Sequence, residues 1–153
     1  MGTIDKKRVL FVCVHNSARS QIAEAFLNRT ASDRFTAESA GLAPGRLNPV
    51  VVEVMKEVGI DISKKKTNSV QDFYNEGRTY DYVITVCDEA SAQSCPNFPG
   101  KAVRLHWSFI DPSGFSGTHG EIKEMTRALR DQIRSKVAHF IEGLVYDPED
   151  SGG

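Results

Sequence analysis

Eight consecutive residues carry the first chemistry in this chain: Cys13-Val14-His15-Asn16-Ser17-Ala18-Arg19-Ser20. A thiolate at Cys13 is both a nucleophile and a good leaving group. A guanidinium at Arg19 can grip two oxygens of a tetrahedral anion at once. The Ser20 hydroxyl can donate a hydrogen bond to the thiolate. Asn16 tolerates the left-handed backbone of a tight loop, and its side chain can brace that loop against Ser39. The chemistry is thiolate attack on a tetrahedral oxyanion, with Val14, His15, Asn16, Ser17, Ala18 and Arg19 as the binding loop. Read blandly, Cys13 is a core thiol and Arg19 a solvated helix residue. The flanking elements decide between the two.

Val9 to Val14 is a short, continuous apolar run, the pattern of a strand buried on both faces. From Ser20 to Arg29, Ile22, Ala23, Phe26 and Leu27 share one helical face. A strand therefore delivers Cys13 and a helix begins after Arg19. The loop between can curl its N–H groups inward as an anion nest, and the helix N-terminus adds free N–H groups and a positive dipole end. Both favour the thiolate of Cys13. Further along, Phe35 to Gly41 reads as a second strand, and Pro44 with Gly45 as a turn. Asn48 caps a helix from Val50 to Val58, with Pro49 at its first position and Gly59 at its stop. Tyr80 to Cys87 is a third strand, Asp88 to Ser94 a short helix and Ala102 to Trp107 a fourth strand. The longest helix is expected over Glu121 to Glu142, burying Met125, Leu129, Ile133, Val137, Phe140, Ile141 and Leu144. Alternating strands and helices imply a parallel sheet covered on both faces, with ligands beyond the carboxyl ends of the strands. Cys13 and Cys87 both fall at such ends.

The chain has 153 residues, 40% hydrophobic and 25% charged. That suits one soluble domain, expected over residues 1–146, with a frayed acidic tail at 147–153. A net charge of −1 argues against a nucleic-acid-binding surface. No apolar run approaches the roughly 20 residues that span a membrane. Met1 to Arg8 lacks the apolar core of a signal peptide, so the expected location is cytoplasmic. Three cysteines, Cys13, Cys87 and Cys95, are an odd number and not a disulfide scaffold. His106, His119 and His139 show no metal-ligand spacing with them, and no metal is expected. Lys64-Lys65-Lys66 reads as a solvated face, or as steering for an anionic substrate. Trp107 reads as core or site wall.

The run Val12 to Phe26 (Val-Cys-Val-His-Asn-Ser-Ala-Arg-Ser-Gln-Ile-Ala-Glu-Ala-Phe) resembles the phosphate-binding loop of the low-molecular-weight tyrosine phosphatase and arsenate reductase superfamily. The similarity continues through Ser39-Ala40-Gly41, Glu57 to Ser63, Val83 to Cys87 and His106 to Pro112. It implies a three-layer α/β fold with a four-stranded parallel sheet in the order 2-1-3-4. The Cys87 strand would then lie beside the Cys13 strand, ~4.8 Å away. It also implies Asp111, before Pro112, as the general acid, a task that fits a modestly raised pKa. Phosphatases of the superfamily usually carry tyrosines after the Asp-Pro and a Pro at the position of Gln21. Ser113, Gly114 and Gln21 point instead to a small inorganic anion.

Arsenate and phosphate are near-isosteres, so the loop alone does not separate a reductase from a phosphatase. Arsenate reduction also needs two electrons from thiols, and Cys87 and Cys95 are the available pair. The resemblance to thioredoxin-coupled arsenate reductases implies a relay. Cys13 attacks arsenate, Cys87 attacks Cys13, and Cys95 then attacks Cys87. An external reductant opens the redox-active Cys87–Cys95 disulfide. That reductant is expected to be thioredoxin, or the low-molecular-weight thiol suggested by His15, which stands where Gly is more usual. Cys87 and Cys95 are eight positions apart, about 12 Å along a helix, whereas a disulfide needs Cα atoms within roughly 7 Å. The segment between them must therefore unwind. No tightly bound cofactor is expected. Relatives that bind potassium use residues matching Asn16, Glu24 and Ser39, but a further Asp is replaced near Ser69, so no cation is expected here. The protein is read as a monomer acting on arsenate, with phosphate or sulfate as mimics. The alternative enzyme is a low-molecular-weight protein tyrosine phosphatase using Cys13, Arg19 and Asp111. A non-catalytic redox sensor is a third reading, but a sensor needs no general acid.

Overall fold

The computed structural model describes residues 6–145; the expected tail at 147–153 and the limits of the 1–146 domain lie outside them. The elements are β1 (Lys7–Cys13), α1 (Arg19–Ala31), β2 (Phe35–Gly41), α2 (Pro49–Glu57), α3 (Val70–Asn75), β3 (Tyr82–Thr85), α4 (Glu89–Ala92), β4 (Val103–His106), a 3-10 turn at Pro112–Gly114 and α5 (His119–Val145). The four strands form one sheet in the order β2-β1-β3-β4, every pair parallel, as the resemblance implied.

The sheet divides two cores. Val9, Phe11 and Cys13 point from β1 into the larger one. There they meet Ile22, Phe26 and Leu27 of α1, Val51 and Met55 of α2, and Leu129, Ile133 and Val137 of α5. Leu10 and Val12 point the other way, toward Val70 and Phe73 of α3 and toward Val83, Cys95 and Phe98. A central strand covered on both sides has no polar face, which is why Val9 to Val12 reads as an unbroken apolar run. Trp107 belongs to the larger core, its ring 5.7 Å from both Phe11 and Phe140.

The expected caps of α2 are present. Asn48 Oδ1 accepts from Val50 N (2.9 Å) and Val51 N (3.2 Å), Pro49 opens the helix, and Gly59 follows its end at φ +82°. Other bounds differ from expectation. β1 runs two residues further toward the N-terminus and stops at Cys13, not Val14. α1 runs on to Ala31, β3 and β4 are shorter than expected, and α4 is a single turn where Asp88 to Ser94 was anticipated. On α5 the expected Leu129, Ile133, Val137 and Ile141 are buried, the side chain of the expected Leu144 lies outside the described residues, and Met125 needs correction. Met125 is 37% exposed, while Thr126, Leu129, Arg130, Ile133, Val137 and Ile141 are buried. Arg130 can occupy that stripe because Nη1 donates to Val54 O (2.8 Å) and to Glu57 (3.2 Å), so its charge is paired. The helix α3 was not anticipated. It has six residues and two buried apolar positions, too few for a visible period, and its signal is the Ser69 cap on Asp72 N.

Candidate active site

The loop after β1 is held from outside by the chain that follows β2. Leu42 N donates to Cys13 O (3.1 Å), Ala43 N to Val14 O (2.7 Å), Gly45 N to His15 O (2.9 Å) and Asn48 N to Ser17 O (2.9 Å). With its carbonyls spent outward, the loop keeps its amide N–H groups for an anion on the inside. The close approach needs Gly41, where an added Cβ would lie 2.8 Å from both Asn16 N and Val14 O. Asn16 turns the loop at φ +54°, the left-handed backbone expected of it.

Within this loop Cys13 is buried and ringed by donors. Asn16 N donates to its sulfur at 3.2 Å, and Ser20 Oγ lies 2.8 Å away. Asn16 Nδ2 donates to Ser20 Oγ (2.8 Å) and Ser39 Oγ (2.9 Å). Since Ser20 already accepts from Asn16, its own proton is free to point at the Cys13 sulfur. Ser39 passes its proton on to Glu24 Oε1 at 2.8 Å. Glu24 is only 5% exposed and forms an ion pair with Lys65. The lysine run is thus not merely a solvated face: one of its members supplies the counter-charge that a buried carboxylate requires. Gln21 is buried too and braces Asn16 through its O (3.1 Å) and Oδ1 (3.2 Å), while also donating to Lys66 O (3.1 Å). Asn68 N completes the support by donating to Asn16 Oδ1 at 2.8 Å.

Arg19 is 5% exposed, with its guanidinium above the loop. Nη1 donates to Phe109 O (3.2 Å) and Nη2 lies 3.5 Å from Asp111 Oδ2. The structure therefore brings Cys13, Arg19, Ser20 and Asp111 together. The expected raised pKa of Asp111 is not found. Partial burial pushes its carboxyl up, but hydrogen bonds from Ser113 (N to Oδ1, 2.9 Å) and the charges of Arg19 and His15 outweigh this and hold it below the ordinary carboxylate range. His15 stands at the rim, with Nδ1 2.9 Å from Ala43 O.

All three cysteines are free. Cys87 follows directly on the β1–β3 ladder, where Val86 N donates to Val12 O at 2.8 Å, and shares the larger core with Cys13. Desolvation pushes its thiol up to about 11, against the pull of the nearby Arg19. Cys95 is buried in the smaller core, with its thiol likewise pushed up by desolvation. The structure thus places Cys87 with Cys13 but Cys95 on the other side of the sheet. Between them, Asp88 caps α4, Oδ1 accepting from Ser91 N (2.8 Å) and Oδ2 from Ser91 Oγ (3.0 Å). Among the described residues no His, Cys, Asp and Glu side chains gather as a metal-binding group, and no helix is long and apolar enough to cross a membrane.

The sequence reading did not anticipate the Gln21 brace, the Glu24–Lys65 pair, or the Asn68 and Phe109 contacts. Gln21 and Glu24 leave a trace in the sequence, as polar residues inside the buried start of α1, but their partners do not. Over residues 8–147 the chain matches the family described as low molecular weight phosphotyrosine protein phosphatase. It is 39% identical over 140 residues to an arsenate reductase of Shouchella clausii, a match covering 91% of this chain and 98% of that relative. It is similar to a solved arsenate reductase in the oxidized state, with a TM-score of 0.74 and 31% identity over 89% of this chain and 97% of the other. A Corynebacterium glutamicum thioredoxin-dependent arsenate reductase is similar at a TM-score of 0.60 and 31% identity, over 87% of this chain and 62% of that one.

Proposed function

From a chain that belongs to the low molecular weight phosphotyrosine protein phosphatase family, with arsenate reductases among its near relatives, we infer an arsenate reductase. The observation that carries this reading is the second buried thiol beside the nucleophile. Hydrolysis of a phosphate ester needs Cys13, Arg19 and Asp111 but has no use for Cys87. Reduction needs it, because the electrons must come from sulfur.

In the proposed mechanism arsenate enters the loop of Val14 to Arg19, held by amide N–H groups and by the two-pronged Arg19. The Cys13 thiolate attacks arsenic and one oxygen leaves, protonated by Asp111. The bound dianion occupies Arg19 and sets a like charge beside Asp111. Both changes raise the carboxyl's pKa from its value in the free site and let it carry that proton. Cys87 then attacks the Cys13 sulfur. The S–As bond breaks with its electron pair on arsenic, which leaves as arsenite, and a Cys13–Cys87 disulfide remains. Arg19 favours the anionic form of Cys87 for this step. Cys95 next attacks Cys87 and frees Cys13. Thioredoxin, or a low-molecular-weight thiol, reopens the Cys87–Cys95 bridge, a cycle that belongs in a reducing cytoplasm.

The test supplies arsenate with thioredoxin and follows arsenite release by the wild type and by Cys95→Ser. The variant is expected to release about one arsenite per molecule and then stop. Undiminished multiple turnover by it would overturn the three-cysteine relay. Turnover of an aryl phosphate with no arsenite release would assign the protein to the phosphatases instead.

A further inference from the structure

The relay leaves one chemical need unmet. Cys95 must attack as a thiolate, yet it rests in an apolar pocket across the sheet from Arg19, against Val83 and Phe98. Arg104 is placed to meet that need. It lies on the edge strand β4, Cα-paired with Val83, and cross-strand partners share a face of the sheet. Its side chain therefore stands on the Cys95 side.

Arg104 also meets the moving segment on either side of Cys95. Toward its end, Arg104 Nη1 donates to Asn97 Oδ1, two residues beyond Cys95, and lines a cavity of about 200 Å³ with Val83, Pro96 and Phe98. On the near side of Cys95, Arg104 lines a second, open cavity of about 610 Å³ with Ala92, Gln93, Thr85 and His106. Burial pushes the Cys95 thiol up, and Arg104 is the charge that pulls it down. Arg19 does the same for Cys87 on the opposite face.

We propose that Arg104 is the positioning residue of the second disulfide exchange, tethering the turn after Cys95 through Asn97 and standing as the positive charge beside the Cys95 sulfur when it attacks Cys87. The assignment rests on the relay proposed above. In the step itself Cys95 gives its proton to solvent and its sulfur bonds to Cys87. The Cys13–Cys87 bond breaks and Cys13 leaves as a thiolate, received by the Ser20 hydroxyl and Asn16 N–H. One disulfide replaces another, so no outside electrons are needed.

The first turnover without reductant separates this role from a structural one, because arsenite leaves before Cys95 acts. Arg104→Met should release its first arsenite within about twofold of the wild-type rate. It should then accumulate the Cys13–Cys87 disulfide in place of Cys87–Cys95, as read by alkylation and peptide mass spectrometry. Conversion between the two bridges should slow by about threefold or more, since the loss of thiolate is only partly offset by the greater nucleophilicity of a more basic sulfur. With thioredoxin, kcat and the KM for arsenate should fall together and kcat/KM should hold. Arg104→Lys, which keeps the charge, should recover most of the exchange rate. A wild-type distribution of disulfides in Arg104→Met would overturn the proposal, as would parallel loss of first-turnover arsenite and exchange. If Cys95→Ser sustains full turnover, the relay falls and the assignment with it; if the relay stands and Arg104→Met exchanges normally, only the assignment falls.

Discussion

Burial raises the pKa of both thiols that the proposed relay would draw on. At neutral pH Cys87 and Cys95 hold their protons, while Cys13 alone sits in a ring of donors. The Cys87 proton is bound more tightly in the folded chain, near 11, than in the unfolded chain, near 9. Its contribution to stability is therefore complete below about pH 9 and is lost as pH rises toward 11. The loss is about 1.4 kcal/mol for each pH unit. Unfolding free energies measured from pH 8 to 11 should fall more steeply for the wild type than for Cys87→Ala; equal slopes would contradict this. Asp111→Asn should slow first-turnover arsenite release by about a hundredfold or more while arsenate still binds, since it removes the proton donor and leaves Arg19 in place. Stopped-flow release and equilibrium binding separate the two effects. At this scale the sequence was legible where chemistry is local. Cys13, Asn16, Arg19 and Ser20 lie within eight residues, and their mutual geometry follows from strand, loop and helix. Lys65 on Glu24 and Phe109 O on Arg19 are 41 and 90 residues removed from their partners, and spacing carries no sign of them.

The loop is a shared product of two elements, β1 for its sulfur and the chain after β2 for its shape. Gly41 is where they touch. Gly41→Ala would force a methyl group onto Asn16 N and Val14 O, both of them backbone atoms with no flexible end to yield. The expected cost is about 1–3 kcal/mol of overpacking, together with loss of anion binding. Thermal melts with and without phosphate would read both effects. The single turn α4, held by Asp88 and Ser91, is the element that the proposed Cys87–Cys95 bridge would require to give way. Amide hydrogen exchange across residues 88–98 should quicken on forming the Cys87–Cys95 bridge and stay slow in Cys95→Ser; equal protection in the two redox states would rule out the rearrangement. Elements with local signals were readable in advance: the buried β1, the Asn48-Pro49 cap, the Gly59 stop. α3 was missed for want of length. The face of α5 was legible from Leu129 to Ile141, but Met125 lies outside the buried stripe, which takes in Thr126 and the paired Arg130 instead.

Across the whole molecule, the anion-binding loop is joined to both edges of the fold through β2, α2 and the 106–112 segment. Ligand binding should therefore be felt as global stability. Phosphate at about a hundred times its dissociation constant should stabilise the protein by about 2.7 kcal/mol. Calorimetry should show a melting temperature several degrees higher, and Arg19→Ala should abolish the rise. The sheet order and parallel sense were legible from the resemblance, and the alternation of elements already required a covered parallel sheet. The division of the cysteines between two cores was not. It follows from the packing of Cys87 and Cys95 into different cores, and no residue in 88–95 encodes that alone. This division has a further meaning. In the proposed relay the two halves of the cycle fall on opposite faces of the sheet: the oxyanion is taken up beside Cys13 and Arg19, and electrons are restored through Cys95. Phosphate competing for the loop would then delay the uptake of arsenate without occupying the face that holds Cys95.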